Sequence, residues 1–248
     1  MNDAIYRVGG ISIYGFGLLA TFSFLWGSFV FYKKALESHF EEFHILDGIV
    51  MSAFWAFITG RLVFVILNFA TFWNHFSRIF LFSNFPGIDR WGVIVGIYFG
   101  IFLTTRKIRA RVMDWFDIVS LGIQSGLAIF FAGFAWLTYS WQIVLLGIIY
   151  LLFFIFFWIM EDKYRTFSWY KGNRTSSRSG LIIGFSISSW GLLFLIDTLL
   201  IFRRFSVASI SWSAILFVGG IVLVYIRSGR TVADDIKTIF KHGRKQNN

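Results

Sequence analysis

Arg61 stands inside an apolar stretch, ILDGIVMSAFWAFITGRLVFVILNF, that runs from Ile45 to Phe69. A fixed positive charge at the centre of a membrane-spanning helix is unfavourable by about 2.5–3.5 kcal/mol, so such a residue faces a bundle interior, a water-filled cavity or an anion. A second charge at membrane depth is Asp197, within LLFLIDTLLIFRR. A guanidinium offers a planar fork of donors suited to a phosphate, whereas a carboxylate offers a base or a counter-ion. Arg61 lies about eight residues, or roughly 12 Å, from the outer end of its stretch, and Asp197 lies at similar depth. Three fates are therefore open to Arg61: snorkelling to the outer interface, pairing with Asp197 so that both charges are neutralised, or meeting an anionic ligand. Gly60, immediately before it, removes a side chain and permits close approach of a helix or ligand.

Other chemistries are thinly supplied. The chain has no cysteine, which excludes a disulfide, a thiol nucleophile and a lipid-modified cysteine within it. His39, His44, His75 and His242 fall in loops, helix ends or the tail. No metal-ligand cluster or phosphate loop is visible, and neither a metal nor a cofactor is expected. Asp47 and Asp117, near helix starts, read as caps complementing the positive end of the helix dipole.

The elements that must position these groups are membrane helices. Apolar residues make up 57% of the 248 and charged ones only 15%, with a single proline, Pro86. A hydrocarbon core of about 30 Å needs roughly 20 helical residues. Seven stretches meet or approach that length: 11–32, 45–69, 91–105, 117–137, 141–160, 180–202 and 208–226. The third is short, and Phe85 to Ile88 extend it or form a partly re-entrant approach. The runs are continuously apolar rather than alternating, so a barrel is disfavoured. The expectation is an all-α integral membrane protein with about seven transmembrane helices, a single polytopic domain over 1–230 and a tail over 231–248 holding a short interfacial helix (VADDIKTIFKHG). No cleavable leader is expected ahead of the first span.

Alternating the loops between two sides puts seventeen of the 23 basic residues on one side and five on the other, with Arg61 between. The positive-inside rule then places the N-terminus outside and the C-terminus in the cytoplasm. The net charge of +10 is read as orientation plus attraction to anionic headgroups rather than nucleic-acid binding. Trp26, Trp55, Trp73, Trp91, Trp136, Trp141, Trp190 and Trp212 read as an aromatic belt or packing.

Several motifs, taken in order, resemble the prolipoprotein diacylglyceryl transferase family. ISIYGFG, with Tyr14 and Gly15, is similar to the Tyr-Gly that leads into its first helix; TGRLVFVILNF carries the Gly-Arg of Gly60 and Arg61 and the trailing Asn68 and Phe69. FPGIDRWGVIVG matches its glycine spacing at Gly87, Gly92 and Gly96; a basic loop then precedes Asp117, and Ser179 with Gly180 resembles the Ser-Gly before its sixth helix.

The resemblance implies a seven-helix enzyme of the bacterial inner (plasma) membrane that moves the diacylglyceryl group of phosphatidylglycerol to a lipoprotein-precursor cysteine thiol. By this resemblance Tyr14, Arg61 and Asp197 are candidate catalytic groups, as hydrogen-bond donor, phosphate clamp and base. Gly60, Arg61, Asn68, Gly87, Arg90, Trp91 and Gly92 are candidates for substrate binding. The chain departs from the pattern where the family has a histidine and here stands Trp91, and where its Arg and Asn are replaced by Phe131 and Phe134 within IFFAGFAW. Its His-Pro-x-Gln-Leu-Tyr-Glu segment survives only as Tyr139, Ser140, Trp141 and Gln142. Neither Trp nor Phe takes a proton, so the alternative is a non-catalytic lipid- or partner-binding protein on the same scaffold.

Overall fold

Inside hydrocarbon a backbone must satisfy its own N–H and C=O groups, and a long apolar segment does so by forming a helix. In the computed structural model, which describes residues 4–8, 11–73, 87–171, 178–201 and 207–229, each of the seven apolar stretches lies largely on a helix. The chain runs β1 (Ala4–Val8), β2 (Ile11–Tyr14), α1 (Gly15–Glu37), α2 (Glu42–Leu67), α3 (Phe69–Phe72), α4 (Arg90–Lys107), α5 (Val112–Thr138), α6 (Trp141–Lys163), α7 (Ser168–Lys171), α8 (Leu181–Ile196) and α9 (Val207–Ser228). A 3-10 turn at Tyr164–Thr166 follows α6, and a π turn at Asp197–Ile201 extends α8. Among the described residues, five helical segments are long and apolar enough to cross a membrane: Glu42–Leu67, Val112–Thr138, Trp141–Thr166, Leu181–Leu199 and Ile210–Ser228.

The first stretch differs from expectation at its start. Ile11–Tyr14 pairs antiparallel with Ala4–Val8, Val8 facing Ile11 and Tyr6 facing Ile13, so the helix begins only at Gly15. Ile-Ser-Ile-Tyr alternates apolar and polar with β-branched residues, a strand signal that an apolar-length criterion overlooks. The tail and its expected helix lie outside the described residues, as do Arg78, Pro86, Arg174, Arg203 and Arg204.

The chain divides into two compact units, one of residues 1–27 with 120–248 and one of residues 28–119. In the unit of residues 28–119, α2 and α4 pack antiparallel along a seam of glycines spaced four apart. Gly92 abuts Thr59 and Gly60, Gly96 abuts Trp55 and Ala56, and Gly100 abuts Met51 and Ser52. A Cβ added at Gly92 or Gly100 would stand 2.6 Å from a carbonyl oxygen of α2. Lipid tails are as apolar as leucine, so close backbone contact of this kind is what holds membrane helices together. At one end of the seam Lys107 Nζ reaches Asp47 Oδ2 at 3.3 Å. Asp47 and Asp117 therefore do not cap: each lies in the second turn of its helix, and Glu41 holds the N-cap position of α2.

In the other unit, Gly27 of α1 meets the Gly122 carbonyl of α5, and Gly126 meets that of Ser23. Gly184 and Gly191 let α8 lie against Gly220 and Ser213 of α9, where Ser188 Oγ donates to the Phe217 carbonyl at 3.1 Å. Tyr170, Leu181 and Val224 form a buried cluster sealed by Met160, Tyr164, Phe167 and Phe185. Arg227, in the last turn of α9, donates to the Ser179 carbonyl at 2.7 Å, beside Gly180, whose φ of +110° suits glycine. The α5–α6 turn exposes Trp136, Tyr139 and Trp141 as a belt would. Trp190, by contrast, is buried in the core.

Candidate functional site

Arg61 is 5% exposed and lies six residues before the end of α2. Its Nη1 donates to the Gly87 carbonyl at 3.0 Å, and its guanidinium carbon stands 5.5 Å from the ring centroids of both Phe64 and Phe72. Phe64 comes from the next turn of α2 and Phe72 from α3; the two rings meet edge to face at 6.2 Å. A cation beside aromatic faces and a carbonyl dipole is stabilised by both, which answers part of the cost of keeping the charge at depth.

The chain at 87–92 is built around this residue. The Asp89 N–H donates to the Gly60 carbonyl at 3.0 Å, and Asp89 Oδ1 accepts from the Trp91 and Gly92 N–H groups at 2.9 and 3.1 Å. Asp89 is thus the N-cap of α4, satisfying two donors that a helix start leaves open. Thr59 Oγ1 lies 2.6 Å from the carbonyls of both Trp55 and Gly92, so its one proton is shared between its own helix and α4. Gly87 leaves room for the Phe64 ring, which a side chain there would strike. The structure therefore brings Gly60, Arg61, Gly87, Trp91 and Gly92 together at the α2–α4 junction. Arg90 opens α4, its guanidinium 5.6 Å from the Trp91 ring. Asn68 terminates α2: its Nδ2 donates to the Phe64 carbonyl at 2.9 Å, as does its own N–H at 3.1 Å.

The other two candidates belong to the other unit. Tyr14 ends β2 opposite Ala4. Asp197 is buried and opens the π turn, with its N–H on the carbonyls of Leu193 and Phe194. Thr198 Oγ1 donates to that same Phe194 carbonyl at 2.8 Å. A π turn within a helix is uncommon and frequent at functional sites, because it re-aims the side chains that follow.

A polar bridge in this unit went unnoticed in the sequence. Gln124, fully buried on α5, accepts from Trp190 Nε1 at 3.0 Å and donates to the Tyr150 carbonyl at 3.3 Å, tying α5 to α8 and α6. Its only sequence signal is an amide within an apolar run. Further along α5, Phe131 stacks on Tyr150 with centroids 4.8 Å apart, and Phe134 stacks on Phe130 at 5.8 Å. These rings fill with apolar volume the places where the resemblance implies an arginine and an asparagine.

Helices of this length and apolarity, joined by backbone-close glycine seams and with Arg61 tethered among them, define a multi-pass helical membrane protein. The model of the prolipoprotein diacylglyceryl transferase family matches residues 3–134, and the chain belongs to that family. The phosphatidylglycerol–prolipoprotein diacylglyceryl transferase of Caldanaerobacter subterraneus subsp. tengcongensis is 23% identical over 130 residues, 51% of this chain and 50% of that protein. The chain thus spans about half the length of the curated relative it matches. The family match takes in Tyr14 and the whole α2–α4 junction; Asp197 lies beyond it.

Proposed function

We propose that the protein moves a diacylglyceryl group from a glycerophospholipid, phosphatidylglycerol by family analogy, to a cysteine thiol of a lipoprotein precursor at a bacterial plasma membrane. The reading is of one membrane domain over 1–230, N-terminus outside and C-terminus cytoplasmic. The observation that carries it is the position of Arg61: a buried arginine within the family-matched segment, beside the backbone carbonyl and glycines that lead into α4.

In the reaction the cysteine sulfur attacks the glycerol carbon that bears the phosphate ester. A C–S bond forms, the C–O bond breaks with its electron pair on the leaving glycerol phosphate, and the thiol proton passes to a base. Arg61 and Arg90 would hold the phosphate, whose negative charge rises as the bond breaks, through charge-assisted bonds. Asp197 would accept the proton and Tyr14 would donate a hydrogen bond. Gly60, Asn68, Gly87, Trp91 and Gly92 would shape the lipid's seat.

The deciding experiment places purified protein in phosphatidylglycerol liposomes with a lipobox peptide and weighs the peptide. A mass gain of one diacylglyceryl group, lost in Arg61→Ala, is expected. No transfer above the Arg61→Ala control would remove the catalytic reading.

A second reading, lipid binding without turnover, is favoured by the stack of Phe131 on Tyr150. It is distinguished by the same preparation, which would then retain phosphatidylglycerol in an Arg61-dependent manner while leaving the peptide unmodified.

A further inference from the structure

Two helix hairpins in the unit of residues 28–119 close with the same turn. After α1, the Phe40 N–H reaches the Ala35 carbonyl at 3.1 Å and the His39 N–H reaches Leu36 at 2.9 Å; after α4, Ala110 reaches Thr105 at 3.0 Å and Arg109 reaches Arg106 at 3.3 Å. This pair of bonds is the Schellman arrangement, whose left-handed residue is usually glycine. Here it is His39 with φ 61° and Arg109 with φ 55°. The backbones match, and the charges do not.

The first turn carries Glu37, Glu41 and Glu42, each engaged locally: Glu37 with Lys34 at 3.1 Å, Glu41 with His44 at 3.2 Å and Glu42 with the Tyr32 hydroxyl at 2.7 Å. The second exposes Arg106, Lys107, Arg109 and Arg111 within six residues. Lys107 is spent on Asp47, and the Arg106 guanidinium lies 5.1 Å from the Phe102 ring, its stem along apolar surface. Among the described residues no carboxylate pairs with Arg106, Arg109 or Arg111. Arg109 also holds a left-handed backbone that glycine would adopt at lower cost.

We propose that the α4–α5 turn is a docking point for anionic phospholipid headgroups, gripped by Arg106, Arg109 and Arg111. The turn caps apolar helices, α5 being long enough to cross a bilayer, so its cations sit where headgroup phosphates lie. Guanidinium forks take phosphate oxygens in pairs, and a rigid turn holds three of them without the entropy cost of ordering a flexible loop. This site does not depend on the transferase reading.

The test uses full-length protein in nanodiscs of equal parts phosphatidylserine and phosphatidylcholine, the former chosen because it is not the proposed substrate lipid. Native mass spectrometry counts the phosphatidylserine retained on release. The Arg106→Gln, Arg109→Gln, Arg111→Gln variant is compared with a charge-matched control carrying Lys33→Gln, Lys163→Gln and Arg165→Gln. Each charge removed from the turn should lower retention affinity about five-fold, with the control near wild type. Equal loss in both variants would assign the effect to net charge and overturn the site. Displacement of the lipid by inorganic phosphate alone, or retention unchanged in the turn variant, would overturn it as well. Circular dichroism and melting of each variant confirm that the folded helices persist, since all six side chains are exposed.

Discussion

The Arg61 guanidinium donates to the Gly87 carbonyl at 3.0 Å, so the membrane-depth charge of α2 also anchors the backbone that leads into α4. The proposed phosphate clamp and the anchor of the α4 approach are one side chain, and a variant at Arg61 should move both.

Arg61→Ala should therefore lower stability even without lipid. A hydrogen bond to a charged group contributes about 1.5–3 kcal/mol, and loss of that order should appear as a lower melting temperature in lipid-free detergent. Phe72→Leu removes one aromatic face while keeping the charge and should cost less. Adding phosphatidylglycerol should raise the melting temperature of wild type and Phe72→Leu by more than that of Arg61→Ala, which keeps only the headgroup contacts of the α4–α5 turn. An Arg61→Ala protein as stable as wild type would show that the tie to Gly87 carries no weight.

The α2–α4 seam gives a prediction by contrast. A methyl group at Gly100 meets the Met51 carbonyl and Ser52 Cα, both at 2.6 Å, whereas one at Gly219 meets nothing within 4 Å. Gly100→Ala should destabilise by about 1–3 kcal/mol through overpacking. Gly219→Ala should be neutral or stabilise by up to about 1 kcal/mol, since glycine is a poor helix former. Thermal unfolding of both variants in one detergent tests the contrast, and equal melting temperatures would refute it.

The Gln124 bridge is testable as a cycle. Gln124→Leu strips the Trp190 indole of this acceptor, and Trp190→Phe strips the amide of this donor; each should cost about 1–3 kcal/mol. In the double variant neither group is stranded, so its cost should fall short of the sum by about 0.5–3 kcal/mol. Strict additivity of the three melting curves would mean that the contact does not couple α5 to α8.

The helices were readable because continuous apolar length is a strong signal and the bilayer allows few alternatives. The N-terminal hairpin was not, since Ile11–Tyr14 is as apolar as the helix it precedes and only its alternation marks it. Asp47 and Asp117 were misread as caps because the true helix starts are fixed by turns whose left-handed residues are His39 and Arg109, and neither residue type announces that conformation. Arg61 was legible because its cost is large wherever it sits. Its Gly87 partner was not, because a carbonyl acceptor has no sequence signature. Asp89 had one, an aspartate directly before a helical run, and Gln124 had almost none, since an uncharged amide raises no alarm in an apolar segment. Trp190 reads in the sequence as belt or packing; it packs in the core, and its Gln124 acceptor has no sequence signal.

The glycine seam separates the frame from the chemistry. Gly92, Gly96 and Gly100 hold α2 to α4 by backbone against backbone, so the contact does not depend on which polar side chains remain elsewhere. Substitution of polar side chains away from the seam leaves this contact intact. The seam thus makes the frame sensitive to a single methyl group at its glycines and indifferent to polar chemistry placed away from them.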